Sequence, residues 1–129
     1  MNSLTSTPNQ TENTVTIVVT DVIGDTLCIA CEDGQKVYEQ VAVALRKGKS
    51  VVLSFKNGED LTPAFLNLAI GQLYHWFPEE QIEASLRVID IQPDDADMME
   101  DVIRDTKKYL EDPQRFTYAT LEVLGADYL

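Results

Sequence analysis

Residues 51–66 read VVLSFKNGEDLTPAFL. The opening run, Val51 to Phe55, is short, apolar and bounded by polar residues, which suits a strand buried on both faces of a parallel sheet. A polar loop with two acids follows, and then Thr62-Pro63. Proline lacks an N–H, so it suits the first position of a helix. It also pushes the residue before it into the extended conformation that an N-cap needs. Thr62 is therefore expected to cap a helix running from about Pro63 to Phe77, with Pro78 ending it. Strand, loop and helix stand here in order, and the question is whether the pattern recurs on either side.

It does. Upstream, TVTIVVT (residues 14–20) is rich in β-branched side chains and ends at DVIGD, which reads as a first strand and a turn. Residues 26–30 suggest a further short strand. From Gly34, GQKVYEQVAVALRKGK gathers Val37, Val41, Ala44 and Leu45 on one helical face, and Gly48 supplies the stop. Downstream, LRVIDI (residues 86–91) repeats the buried-strand signature. A third helix is expected from about Ala96 to Leu110, with Met99, Val102, Ile103, Thr106 and Leu110 inside and Glu100, Arg104, Asp105, Lys107 and Lys108 facing water. The alternation predicts a single α/β layer domain with a mainly parallel or mixed sheet of about four strands and about three helices. Residues 1–13 read as a disordered tail and 14–112 as the domain. Residues 113–129 form an extension in which alternating Phe116 and Tyr118 favour a strand and Asp112-Pro113 favours a helix start.

Composition narrows the function. Ten Lys and Arg against 22 Asp and Glu give a net charge of −12 over 129 residues, and such a surface repels a phosphate backbone. Nucleic acid is not an expected partner. The amino terminus lacks the basic start and apolar core of a signal peptide. The least charged segment, LTPAFLNLAIGQLYHWFP (residues 61–78), contains two prolines, Asn67, Gln72 and His75 and is short for a bilayer core. A cytoplasmic protein without a membrane partner is the expectation, with Cys28 and Cys31 reduced.

Cys28 and Cys31 form a CxxC pair. A redox pair sits at a helix amino terminus, where the dipole lowers the thiol pKa; with the helix read from Gly34, and with Glu32 and Asp33 alongside, these cysteines read as incidental and partly buried. Zinc needs two further ligands, and the single His75 lies in another helix. The acids Asp94, Asp95, Asp97, Glu100 and Asp101 lack the Gly and terminal Glu of a calcium loop, so Asp94 or Asp95 reads as an N-cap with first-turn acids behind it. No nucleophilic triad, phosphate-binding glycine loop or cofactor site can be assembled. The loops after the two buried strands, one with Glu59 and Asp60 and the other with Asp94 and Asp95, are expected at the same edge of a parallel sheet, where such folds place their sites. That edge should be acidic and suited to a basic partner surface.

Gly34 near the start of a helix, the V-V-L-x-F strand at residues 51–55 and Thr62 followed by Phe65, Leu66 and Asn67 resemble, in that order, the bacterial STAS-like domains, relatives of the anti-sigma-factor antagonists. The resemblance runs from about Val15 to Leu110. It implies a STAS-like fold and a non-enzymatic regulatory domain that binds a partner protein, an ATPase-type kinase in the wider group. There a Ser or Thr at the start of this helix is phosphorylated, and the matching residue is Thr62. The sequence departs from the group in having Ser54 where many relatives carry Asp, and Thr-Pro-Ala where antagonists carry Ser-Ser-Gly. Expected partner-binding residues are Glu59, Asp60, Thr62, Phe65, Asp94 and Asp95. Apolar residues cover more than one face of the 63–77 helix, so Ile70, Tyr74 and Trp76 are expected at an interface, with a homodimer as one form of it. The alternative is a small ligand- or Mg-binding domain, in principle an enzyme, that uses the acidic edge between loops 56–62 and 92–97.

Overall fold

The computed structural model describes residues 13–111. The expectations for the two terminal segments, including a strand or helix at Phe116 and Tyr118, lie outside the described residues. Three parallel strands form the sheet: β1 (Thr14–Val18), β2 (Ser50–Ser54) and β3 (Leu86–Ile89), with β2 in the centre. Across the sheet Val15, Val51 and Leu86 stand in one row, and Ile17, Leu53 and Val88 in another. These residues share one face by the two-residue period of a strand. All six belong to the core or pack against it.

Five helices accompany the sheet: α1 (Val19–Ile23), α2 (Cys31–Arg46), α3, α4 (Glu79–Ser85) and α5 (Pro93–Glu111). The α3 helix is one rod in three stretches: α-helical Pro63–Leu66, a π-helical turn Asn67–Gly71, and α-helical Leu73–Trp76. The fourth strand of the sequence reading is not among the described residues. Residues 26–30 contribute a single parallel bridge, Leu27 to Glu59, rather than a strand. The DVIG turn is a short helix closed by Gly24, whose φ of 70° places it in the left-handed region that glycine adopts without a Cβ penalty.

The amphipathic reading of α2 holds, since Val37, Val41, Ala44 and Leu45 are all buried. Its start does not: the helix opens at Cys31, three residues ahead of Gly34. α5 likewise opens at Pro93, so Asp94 and Asp95 occupy its first turn instead of capping it. Leu110, expected inside, is 40% exposed, because the stripe that packs on α3 ends at the buried Thr106. The sheet also departs from burial on both faces. Thr14, Thr16 and Arg87 are exposed and Val18, Val52 and Ile89 half-buried, and none of these packs on the core.

Candidate functional site

The carboxyl ends of β2 and β3 feed two loops that meet. Between them lies a cleft of about 260 Å³ lined by Asn57, Gly58, Leu61, Asp90, Gln92 and Asp95, with Phe55 behind. The backbone is under tension here. Asn57, Asp60 and Asp90 hold φ of 65°, 51° and 59°, and they are the non-glycine residues with positive φ among those described. Asn and Asp tolerate this region better than other side chains, yet each still costs of order 1 kcal/mol, and such residues gather where a loop must present particular groups.

Asp90 is the residue that sequence reasoning missed. The Ser54 hydroxyl donates to its Oδ2 at 2.6 Å and accepts the Lys56 N–H at 3.2 Å. A short charge-assisted bond thus ties the end of β2 to the end of β3. The signal was present: Ser54 pairs with Ile89 in the parallel register, which places Asp90 one residue beyond it.

A third strip of backbone joins the edge. The Cys28 N–H donates to the Glu59 carbonyl (3.1 Å), the Glu59 N–H to the Thr26 carbonyl (2.6 Å) and the Thr62 N–H to the Cys28 carbonyl (3.3 Å). Thr62 fastens this strip to α3 by its side chain as well. Its Oγ1 accepts the Phe65 N–H at 3.2 Å, which makes it the N-cap, and donates to the Ile29 carbonyl at 3.1 Å. The cap geometry is as read from the sequence, with φ −121° and ψ 155° at Thr62 and Pro63 in the first helical position.

Cys28 is fully buried and Cys31 exposed, so the reading of both as partly buried is corrected. Cys31 is the first residue of α2, which places the CxxC at a helix start after all. Burial nevertheless raises the Cys28 thiol to about 11. Asp25, Asp33 and Asp95 push the same way, and a hydrogen bond with the Glu59 backbone opposes them. Cys28 is thereby inert as a nucleophile at neutral pH, and its field reports how many carboxylates surround this corner. No group of three or more His, Cys, Asp or Glu side chains is disposed to hold a metal ion among the described residues.

The remaining expected residues divide. Glu59, Asp60, Asp94 and Thr62 lie at or beside the edge, and Asp95 lines the cleft. Phe65 and Ile70 are core residues, 0% and 1% exposed, and offer no side-chain surface to a partner. Their positions read as surface because the 63–76 segment is apolar on several sides; the surplus is taken up by α2 and α5, which pack on it. Tyr74 is half-buried beneath Lys107, whose Nζ stands 5.6 Å from its ring centre. Trp76 is 67% exposed.

Residues 33–96 match the family model of a STAS-like domain of unknown function. This stretch is a STAS-like domain. No curated protein and no solved structure matches the chain. The STAS-like match is shorter than the resemblance read from the sequence. It begins two residues after the start of α2, takes in β2, α3, α4 and β3, and ends in the first turn of α5. Both loops of the cleft, Thr62 and Gly34 lie inside it. No helix among the described residues is long and apolar enough to cross a membrane.

Proposed function

We propose that this STAS-like domain is a non-enzymatic regulatory module whose acidic carboxyl edge docks a partner protein, and that Thr62 is its switch. The observation that carries this reading is the double use of the Thr62 hydroxyl, which caps α3 and also donates to the Ile29 carbonyl. A phosphoryl group takes the place of the hydroxyl proton. It therefore abolishes the bond to Ile29 and adds roughly −1.5 to −2 charges beside Glu59 and Asp60. The strip 26–30 is then held to loop 59–62 by the backbone bonds alone and loosens at its downstream end, and with it the approach to Cys31 and α2. The partner's face is basic, since the edge presents Glu59, Asp60, Asp94 and Asp95. An ATPase-type kinase of the kind that serves the wider STAS group fits both roles, as partner and as source of the phosphoryl group.

To test this, the full chain is incubated with ATP and an ATPase-type kinase from its native host. Any phosphate is mapped by mass spectrometry, and partner binding is compared for the parent, Thr62→Ala and Thr62→Glu. Phosphate on Thr62 and loss of binding by Thr62→Glu beyond that of Thr62→Ala support the switch. Absence of phosphate at Thr62, together with equal binding by the two variants, reduces Thr62 to a cap.

A further inference from the structure

A second concavity lies away from the acidic edge, between α3 and α5. The two helices pack together at Gly71, where a Cβ would sit 3.0 Å from Thr106 Oγ1, 2.9 Å from Asn67 Oδ1 and 3.4 Å from Val102 Cγ1. Beside it the helices enclose a cleft of about 510 Å³, within the range of small-molecule sites. Val102, Asp105, Thr106 and Tyr109 all line it, as their spacing of three, four and seven residues along one helical face requires. From α3, Pro63 and Ala64 add apolar surface and Asn67 an amide. The rings of His75 and Tyr109 stand together, 5.7 Å between centroids and tilted by 43°.

The charge of this cleft is specific. Asp105 is its one carboxylate among the described lining residues, and no Lys or Arg is among them. Of the cations near Asp105 in sequence, Arg104 pairs with Asp101 at 2.6 Å and Lys107 with Glu79 at 2.6 Å and Glu83 at 3.4 Å, while Lys108, three residues on, is exposed. Asp105 itself has no ion pair among the described residues. The π-helical turn is an independent pointer. It is closed by the Gln72 N–H donating to the Asn67 carbonyl at 2.8 Å, it puts Asn67 and Gly71 at its two ends, and turns of this kind concentrate at ligand sites.

We propose that the α3–α5 cleft binds a small organic cation with an aromatic body, an arylalkyl amine or guanidine, whose charge meets Asp105 and whose ring lies against His75 and Tyr109. A carboxylate beside two rings and an apolar wall favours that chemistry over an anion, which the net charge of −12 repels.

The probe is phenethylamine, compared with its neutral isostere 2-phenylethanol, each titrated into the isotopically labelled full chain while backbone amide shifts are followed. The amine is expected to bind roughly two- to fivefold more tightly than the alcohol, the range given by an exposed ion pair, and to shift amides of Asn67, His75, Asp105 and Thr106. Asp105→Asn, an exposed site whose change leaves the fold intact, is expected to bring the amine down to the alcohol's affinity without altering the alcohol's own. Equal binding of the two probes, absence of binding by either, shifts centred elsewhere, or an amine preference that survives Asp105→Asn would each overturn the proposal.

Discussion

Gly34→Ala reverses an ordinary expectation. A Gly to Ala change inside a helix gains about 1 kcal/mol through backbone entropy and propensity. Gly34 lies in the first turn of α2 and is buried against α3, where an added Cβ would stand 2.7 Å from the Phe65 carbonyl oxygen and 3.2 Å from Leu68 Cβ. The oxygen belongs to backbone, so no side-chain rotation relieves the contact. The two helices must part by several tenths of an ångström to reach the 3.4 Å of ordinary contact. Overpacking of this kind costs about 1–3 kcal/mol. Set against the propensity gain, the net is a loss of about 1 kcal/mol, and a domain of this size then melts about 4–8 °C lower. Thermal and urea unfolding followed by circular dichroism measure it. The same displacement reaches Thr62, because the residue whose carbonyl is struck is also the one whose N–H the threonine caps. Gly34→Val should therefore be worse than Gly34→Ala. At Gly48, by contrast, φ is +74° and a Cβ has nothing within 4 Å, so replacement costs through backbone conformation alone and Ala and Ser should cost alike. A Gly34→Ala protein as stable as the parent would refute the close-approach argument.

Thr62→Ala loses the cap and is expected to cost about 1 kcal/mol in urea unfolding. Ser54→Ala removes a 2.6 Å hydrogen bond to a carboxylate and should cost about 1.5–3 kcal/mol, more than most alanine substitutions at small polar residues. In the native protein an alkylating reagent is expected to modify Cys31 and spare Cys28, and to modify both after denaturation, as peptide mapping would show. The Cys28 thiol also gives the parent a pH dependence that Cys28→Ala lacks. Below pH 9.0 the thiol is protonated in both states and the stability difference is constant. Between 9.0 and about 11 the unfolded thiol ionises while the folded one does not, so the parent loses stability relative to the variant as pH rises; a flat difference across that window would count against burial. Trp76→Ala should change stability by no more than about 0.5 kcal/mol, with any self-association weakened in light scattering.

What could be read in the sequence followed the strength of local periodicity. β2 and β3 are short apolar runs and α2 has a sharp stripe, and both strands and the buried face of α2 appear where their patterns placed them. The cap at Thr62 was legible because Pro63 restricts two residues at once. The π-helical turn was not, since one residue of extra winding at Asn67–Gly71 leaves no mark on an apolar segment whose faces are already blurred. It coincides with the close approach of Gly71 to Thr106, which lies on another helix 35 residues away. The start of α2 was missed for a related reason: Cys31, Glu32 and Asp33 carry no apolar periodicity, and the Ala30 carbonyl takes up the N–H groups of Asp33 and Gly34 where no side-chain cap announces the helix. Asp90 escaped notice because its role depends on register between strands. A parallel register is fixed by packing across the sheet and is silent in either strand alone.

The direction in which a phosphate on Thr62 would act follows from comparing magnitudes. Favouring the modified state is the amino end of α3, where an anion gains about 0.3–1 kcal/mol at an exposed site. α3 offers little more than that, because its first α-helical stretch, Pro63–Leu66, gives way at once to the π-helical turn. Opposing it are the lost hydrogen bond to Ile29, about 0.5–1.5 kcal/mol, and the repulsion of a group carrying nearly two negative charges from Glu59 and Asp60. The carboxylates that already raise the Cys28 thiol, Asp25, Asp33 and Asp95, add to this through the same corner. The attraction is a single end effect, whereas the opposing contributions are several and of one sign. The modified protein should therefore be less stable than the parent, with the loss confined to the 26–30 strip. Hydrogen exchange makes this measurable: the Cys28 and Glu59 amides, which hold the strip to the loop, should exchange faster in Thr62→Glu than in Thr62→Ala, while the amides of β2 keep the same protection in both. Equal exchange at Cys28 and Glu59 in the two variants would mean that the charge is not felt there, and that capping is all Thr62 does.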